Sequence, residues 1–181
     1  MSLLPVLALL LSTQVAVSDL YARRVSNRWL LCVAVVALGG LLWAWASGAV
    51  PFPATHLVGM LAGLAALLPF YLLGWMGAGD VKYFAVLGLL LGAPALLPIW
   101  VLSSLVAGAH ALCVTLAPSL RAALPLRAQW LHERAQQHWQ ARPIARQLLS
   151  LRQGRVGIPY AAYLAFTTLG FIAWSSYGAG P

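Results

Sequence analysis

The chain has 181 residues, 62% of them hydrophobic and only 8% charged, where a soluble domain carries about 25% charged residues. That balance excludes an ordinary soluble globular domain and an intrinsically disordered chain alike. The net charge of +8 arises because only three acids, Asp19, Asp80 and Glu133, oppose eleven Lys and Arg, so it reads as the basic loops of a membrane protein and not as a nucleic-acid surface.

A helix needs about 20 apolar residues to cross a bilayer. Leu3–Asp19 predicts the first span. It has no basic start and no small-residue cleavage site, and Asp19 and Arg23 follow directly, which argues against a signal peptide. Asp19, Arg23 and Asn27 are spaced four apart; a continuing helix would put all three on one face and pair Arg23 with Asp19. Trp29–Ser47 and Thr55–Trp75 predict spans two and three, the latter kinked at Pro69. Gly59 and Gly63, like Gly88 and Gly92, have the GxxxG spacing that lets helix backbones approach.

Next comes Gly77-Ala78-Gly79-Asp80-Val81-Lys82. The two glycines permit a tight turn or the close approach of another chain, and Asp80 suits the cap of a following helix. Lys82 does not share a helix face with Asp80 and is expected to reach lipid headgroups. Val81–Leu91 predicts a short fourth span, with its far limit open between Leu91 and Pro98. Leu96–Ala117 predicts the fifth, with Ser103 and Ser104 bonded within their helix. Residues 118–157 then hold seven arginines among Leu126, Trp130, Leu131, Ile144, Leu148 and Leu149 at roughly helical spacing. They predict one or two amphipathic helices lying on anionic lipid. Ile158–Tyr177 predicts the last span.

The expected fold is therefore all-α: one polytopic membrane domain over 1–181 with six spans, and 118–157 as a basic loop between spans five and six. With six spans every Lys and Arg falls on one face, which the positive-inside rule makes cytoplasmic. Merging spans four and five would put the arginine-rich loop on the other face. The six-span topology also brings Asp19 and Asp80 to one depth at the cytoplasmic edge. Cys32 and Cys113 make no CxxC pair, so neither a disulfide nor a zinc site is expected. His56 and His110 are expected to be packing residues, and His132 and His138 surface residues, with no metal site among them.

Carboxylates at a membrane boundary are costly and usually functional. Two that sit close cannot both ionise easily, so the pair shares a proton. One can draw a proton from water while the other protonates the scissile carbonyl, which is aspartyl protease chemistry and needs no metal or cofactor. The pair titrates as a unit, so the acid and base roles stay undivided between Asp19 and Asp80. A glycine loop beside one of them leaves room for an extended peptide.

Gly77-Ala78-Gly79-Asp80 resembles the GxGD signature of intramembrane-type aspartyl proteases. Its continuation to Lys82, the Asp19…Arg23…Asn27 segment and Val156-Gly-Ile-Pro159-Tyr160 are similar to the bacterial type IV prepilin peptidases, in family order along the chain. The resemblance implies that Asp19 and Asp80 are the catalytic pair, with Gly77, Gly79, Arg23, Asn27, Lys82, Pro159 and Tyr160 supporting the site. It implies a multi-pass protein of the bacterial inner membrane that cuts a prepilin leader at the cytoplasmic face, after a glycine preceding the substrate's apolar helix. It is closest to the small type that serves tight-adherence (Flp-type) pili, without the methyltransferase domain and its four-cysteine cluster. The implied partners are prepilin and pseudopilin substrates and anionic lipids, with no nucleic acid. A proton-coupled transporter is an alternative, but both aspartates sit at one face and no inverted repeat is visible. A non-catalytic pilus or secretion assembly component is another, with the aspartates as structural ion pairs.

Overall fold

The computed structural model describes residues 3–122, 125–142 and 159–178. These form seven helices: α1 (Leu3–Ala22), α2 (Asn27–Ala46), α3 (Ala54–Leu72), α4 (Ala78–Leu91), α5 (Ala93–Ala122), α6 (Leu126–Ala141) and α7 (Tyr160–Gly178). Among the described residues there is no strand.

The short α4 is the centre of the bundle. It packs against α1, α2, α3, α5 and α7, and Val81 and every residue from Tyr83 to Leu90 are buried. A helix that is apolar all round belongs in a protein core or in a membrane, and here the neighbouring helices cover it. Outward-facing positions of the surrounding helices are apolar too. Trp43 and Trp174 are exposed near the ends of α2 and α7, and Trp29 and Trp75 at the opposite end of the bundle, as befits aromatic rings at two membrane interfaces.

Four helices are long and apolar enough to cross a membrane: α1, α2, α3 and Ala93–Ser119 of α5. The other two expected crossings do not reach that standard. At about 1.5 Å per residue, α4 covers about 21 Å of a hydrocarbon core about 30 Å thick. α7 is long enough, but Tyr160, Tyr163, Thr167, Thr168, Ser175 and Ser176 dilute its apolar character.

The open limit of the fourth segment falls at Leu91. Gly92 follows with φ 80° and separates α4 from α5 with one residue. This left-handed conformation is cheap only for glycine. The chain reverses there: Ala93 lies beside Gly59 near the start of α3, whereas Ser104, further along α5, bonds to Tyr160 at the start of α7. α5 also runs to Ala122, five residues past its expected end.

α3 and α4 are antiparallel and meet through their glycines. A Cβ placed on Gly59 would lie 2.7 Å from the Ala93 nitrogen, and one on Gly63 would lie 2.9 Å from the Phe84 carbonyl oxygen. A Cβ on Gly88 would run into the Gly59 carbonyl. Gly59, Gly63 and Gly88 thus carry the backbone-to-backbone contact expected of the GxxxG spacing, whereas Gly92 serves the turn that ends α4. His56 fastens the same end, with Nδ1 2.9 Å from the Leu89 carbonyl oxygen.

α6 lies in the basic stretch, as the helical spacing predicts. Trp130, Leu131 and Trp139 are exposed, and the guanidinium groups of Arg134 and Arg142 lie over the Trp130 and Trp139 rings at 4.9 and 5.9 Å. The second helix expected around Ile144–Leu149 falls outside the described residues, as do Val156–Ile158.

Candidate active site

The cavity that matters lies at the end of the bundle where α1 ends, α2 and α4 begin, and α7 begins. It holds about 980 Å³ and is lined by Asp19, Arg23, Asn27, Gly77, Gly79, Asp80, Lys82 and Tyr160, together with Ser18 and residues of the 22–26 linker. Eight of the nine expected site residues therefore share one cavity. The ninth, Pro159, is buried just before α7 and accepts the Tyr163 N–H through its carbonyl.

Asp19 is on the last turn of α1 and is only 7% exposed. Its Oδ2 accepts a 2.9 Å hydrogen bond from the backbone N–H of Ala162, in the first turn of α7. The first N–H groups of a helix have no partner within it and favour a negative charge. α7 thus orients this carboxylate from 143 residues away. Asp80 sits in the first turn of α4, partly exposed to the cavity, and its Oδ2 accepts a 3.2 Å bond from the Gly77 N–H. The capping role and a place in the cavity are thus not exclusive. The charge of Asp19 acts directly on the Asp80 carboxyl.

Three expectations about this region are corrected. The helix through Asp19 does not continue to Asn27: it stops at Ala22, and Arg23 has φ 52°. A non-glycine residue in this left-handed region costs about 1–2 kcal/mol, and the gain is a reversal that returns the chain over Gly79. Arg23 still donates its backbone N–H to the Asp19 carbonyl at 3.1 Å, and its charge acts on Asp19. Lys82 does not reach outward to lipid. Its Nζ donates to Asn27 Oδ1 at 3.4 Å and ties the start of α2 to the start of α4. Ser104 does not bond within its own helix but meets the Tyr160 hydroxyl at 3.1 Å. Ser103 does bond within its helix, to the Trp100 carbonyl. His110 is exposed on α5, its ring 5.9 Å from that of Tyr163.

Gly79 is required for space and not for φ, since it is absent from the positive-φ glycines, Gly48, Gly74 and Gly92. A Cβ there would meet the Val25 Cβ at 3.0 Å. The neighbour is a side chain on a linker, which can give by a few tenths of an ångström. Gly79→Ala is therefore expected to keep most activity, whereas Gly79→Val, with two more carbons, is expected to push the 23–26 linker off the cavity and lower turnover by about tenfold or more. Turnover per unit of membrane-inserted protein measures both, and equal rates for the two variants would contradict the contact.

One feature of the site's support carried no local signal in the sequence. Tyr83, Ser12 and Thr168 are all fully buried one layer deeper than the aspartates, and the Tyr83 hydroxyl donates to Ser12 Oγ at 2.8 Å. Among the described residues no group of three or more His, Cys, Asp or Glu comes together to hold a metal ion.

A model of the type IV leader peptidase family matches residues 6–112, a stretch that contains both aspartates and the Gly77–Asp80 turn. No curated protein and no solved structure matches the chain.

Proposed function

The chain belongs to the type IV leader peptidase family, and from that membership we propose that it is a membrane aspartyl endopeptidase that removes the leader of Flp-type prepilins at the cytoplasmic face of the bacterial inner membrane. The observation that carries this reading is the meeting of Asp19 and Asp80, 61 positions apart, in one cavity where each carboxylate is oriented by a backbone N–H.

In the proposed reaction one carboxylate takes a proton from a water molecule as its oxygen attacks the scissile carbonyl carbon. The other carboxyl gives its proton to the carbonyl oxygen. Collapse of the tetrahedral intermediate breaks the C–N bond, the proton taken from water passes to the leaving amine, and one hydroxyl proton of the intermediate returns to the carboxylate that protonated the carbonyl oxygen. Two carboxyls sharing one proton supply both functions. Gly77, exposed beside Asp80, leaves backbone open where an extended peptide can lie, and Gly79 lets the Val25 side chain of the linker close in next to it. Arg23, Asn27 and Lys82 shape the rim, and Pro159 and Tyr160 set the start of α7, whose N–H groups hold Asp19. Arg127, Arg134 and Arg142, on and just after α6, rest on anionic lipid.

In the proposed six-span topology this cavity faces the inside of the cell. Cysteine labelling at Gln136 is expected to report the cytoplasm and at Ala49 the outside. An outside signal at Gln136 would overturn that placement. The test of the activity itself is a purified enzyme with a short protein that has a glycine-terminated leader ahead of one apolar helix, encoded beside this gene. Intact mass should show loss of the leader at that glycine. An uncut substrate, with proton flux across vesicles in its place, would favour the transporter.

A further inference from the structure

The Tyr83–Ser12 bond is not used by the proposed reaction, yet it joins the two helices that carry the aspartates. Tyr83 is three residues after Asp80 on α4, and Ser12 is seven before Asp19 on α1. Residues three and seven apart lie on nearly one helical face. The hydroxyl pair therefore sits on the same α1–α4 seam as the carboxyl pair. Both partners are 0% exposed, and Thr168 of α7, the helix that orients Asp19, is a further polar neighbour of the Tyr83 hydroxyl.

Apolar side chains alone fix helix register weakly in a bilayer, because lipid is as apolar as the neighbouring helix. A buried hydroxyl pair is different. Rotation of α1 against α4, or a slip along it, leaves two polar groups unpaired where no water can replace the bond. Proton sharing between carboxyls is sensitive to separation, and a misplacement of about 1 Å can cost 10²-fold in rate. We propose that Tyr83, acting through Ser12, is a positioning residue that holds α1 and α4 in the register at which Asp19 and Asp80 share a proton. The proposal rests on the two-aspartate reading for its kinetic consequence, but not for its geometric one.

Tyr83→Phe and Ser12→Ala keep the volume of the seam nearly constant while removing the bond. Each is expected to lower kcat about tenfold with KM unchanged, and the double variant is expected to be no slower than Tyr83→Phe alone, which already takes the hydroxyl away from both Ser12 and Thr168. A role in stability alone would lower the amount of folded protein and leave kcat per folded molecule at the wild-type value. The second measurement needs no activity. In a chain with Cys32→Ser and Cys113→Ser, the pair Asp19→Cys and Asp80→Cys is bridged with a short bis-maleimide, with and without Tyr83→Phe. Loss of the hydroxyl is expected to lower bridging at least threefold at equal membrane content. Unchanged bridging, or a wild-type kcat for Tyr83→Phe, would overturn the positioning role. If the wild-type chain cuts no prepilin, the peptidase reading fails by itself, and the bridging yield still decides this one.

Discussion

Asp19→Asn and Asp80→Asn are each expected to reduce prepilin cleavage by about 10²–10⁴-fold, the range for losing a general acid or base. An asparagine keeps an amide oxygen for the Ala162 N–H at position 19 and for the Gly77 N–H at position 80. Both variants are therefore expected to accumulate in the membrane at normal levels. The double variant should be about as slow as either single one, because groups that act as a unit lose their function together. Processing of a co-expressed prepilin, normalised to membrane content, measures this. Substantial cleavage by either single variant would remove the two-carboxyl mechanism. It would favour the reading in which the aspartates are structural.

Gly88→Val is expected to have the largest effect on the fold. The atoms in its way are the carbonyl and carbon of Gly59 and the nitrogen of Met60, all backbone, so no rotamer change can make room. α3 and α4 must part, and α4 is the helix that α1, α2, α3, α5 and α7 all pack against. Overpacking costs about 1–3 kcal/mol where side chains can yield, and here the cost is expected at or above the top of that range. The result would be a strongly lowered thermal midpoint in detergent and reduced accumulation. Gly108→Val on α5 is the control, because a Cβ there has nothing within 4 Å. Equal behaviour of the two variants would contradict the close α3–α4 packing.

The helices were legible because hydropathy marks their apolar runs. That Asp19 and Asp80 share one cavity was expected from reading the Lys and Arg pattern as a six-span topology, and the shared cavity is the part of that reading the fold bears out. Gly59, Gly63 and Gly88 were legible as well, since close packing leaves a spacing of four, but Gly92 shares that spacing and serves the turn instead. The break after Ala22 was not. Nothing in Arg23-Arg24-Val25-Ser26 marks a left-handed residue, where glycine or asparagine would have been the usual signal. The Lys82–Asn27 and Tyr83–Ser12 bonds join positions 55 and 71 apart, and a pairing at that distance leaves no periodicity to read. The shortness of α4 was visible in its length, but its central position follows only from the packing of five helices around it.

In the proposed reaction two carboxyls activate a water molecule against a peptide bond. The most direct measurement of this step is a single turnover, with enzyme in excess over prepilin, in water enriched in oxygen-18. Attack by water puts one heavy oxygen into the new carboxylate of the released leader, so its mass is expected to rise by about 2 Da on the first turnover. A leader released without heavy oxygen would mean that an enzyme oxygen attacked the carbonyl first, through an acyl-aspartate, and would contradict the account.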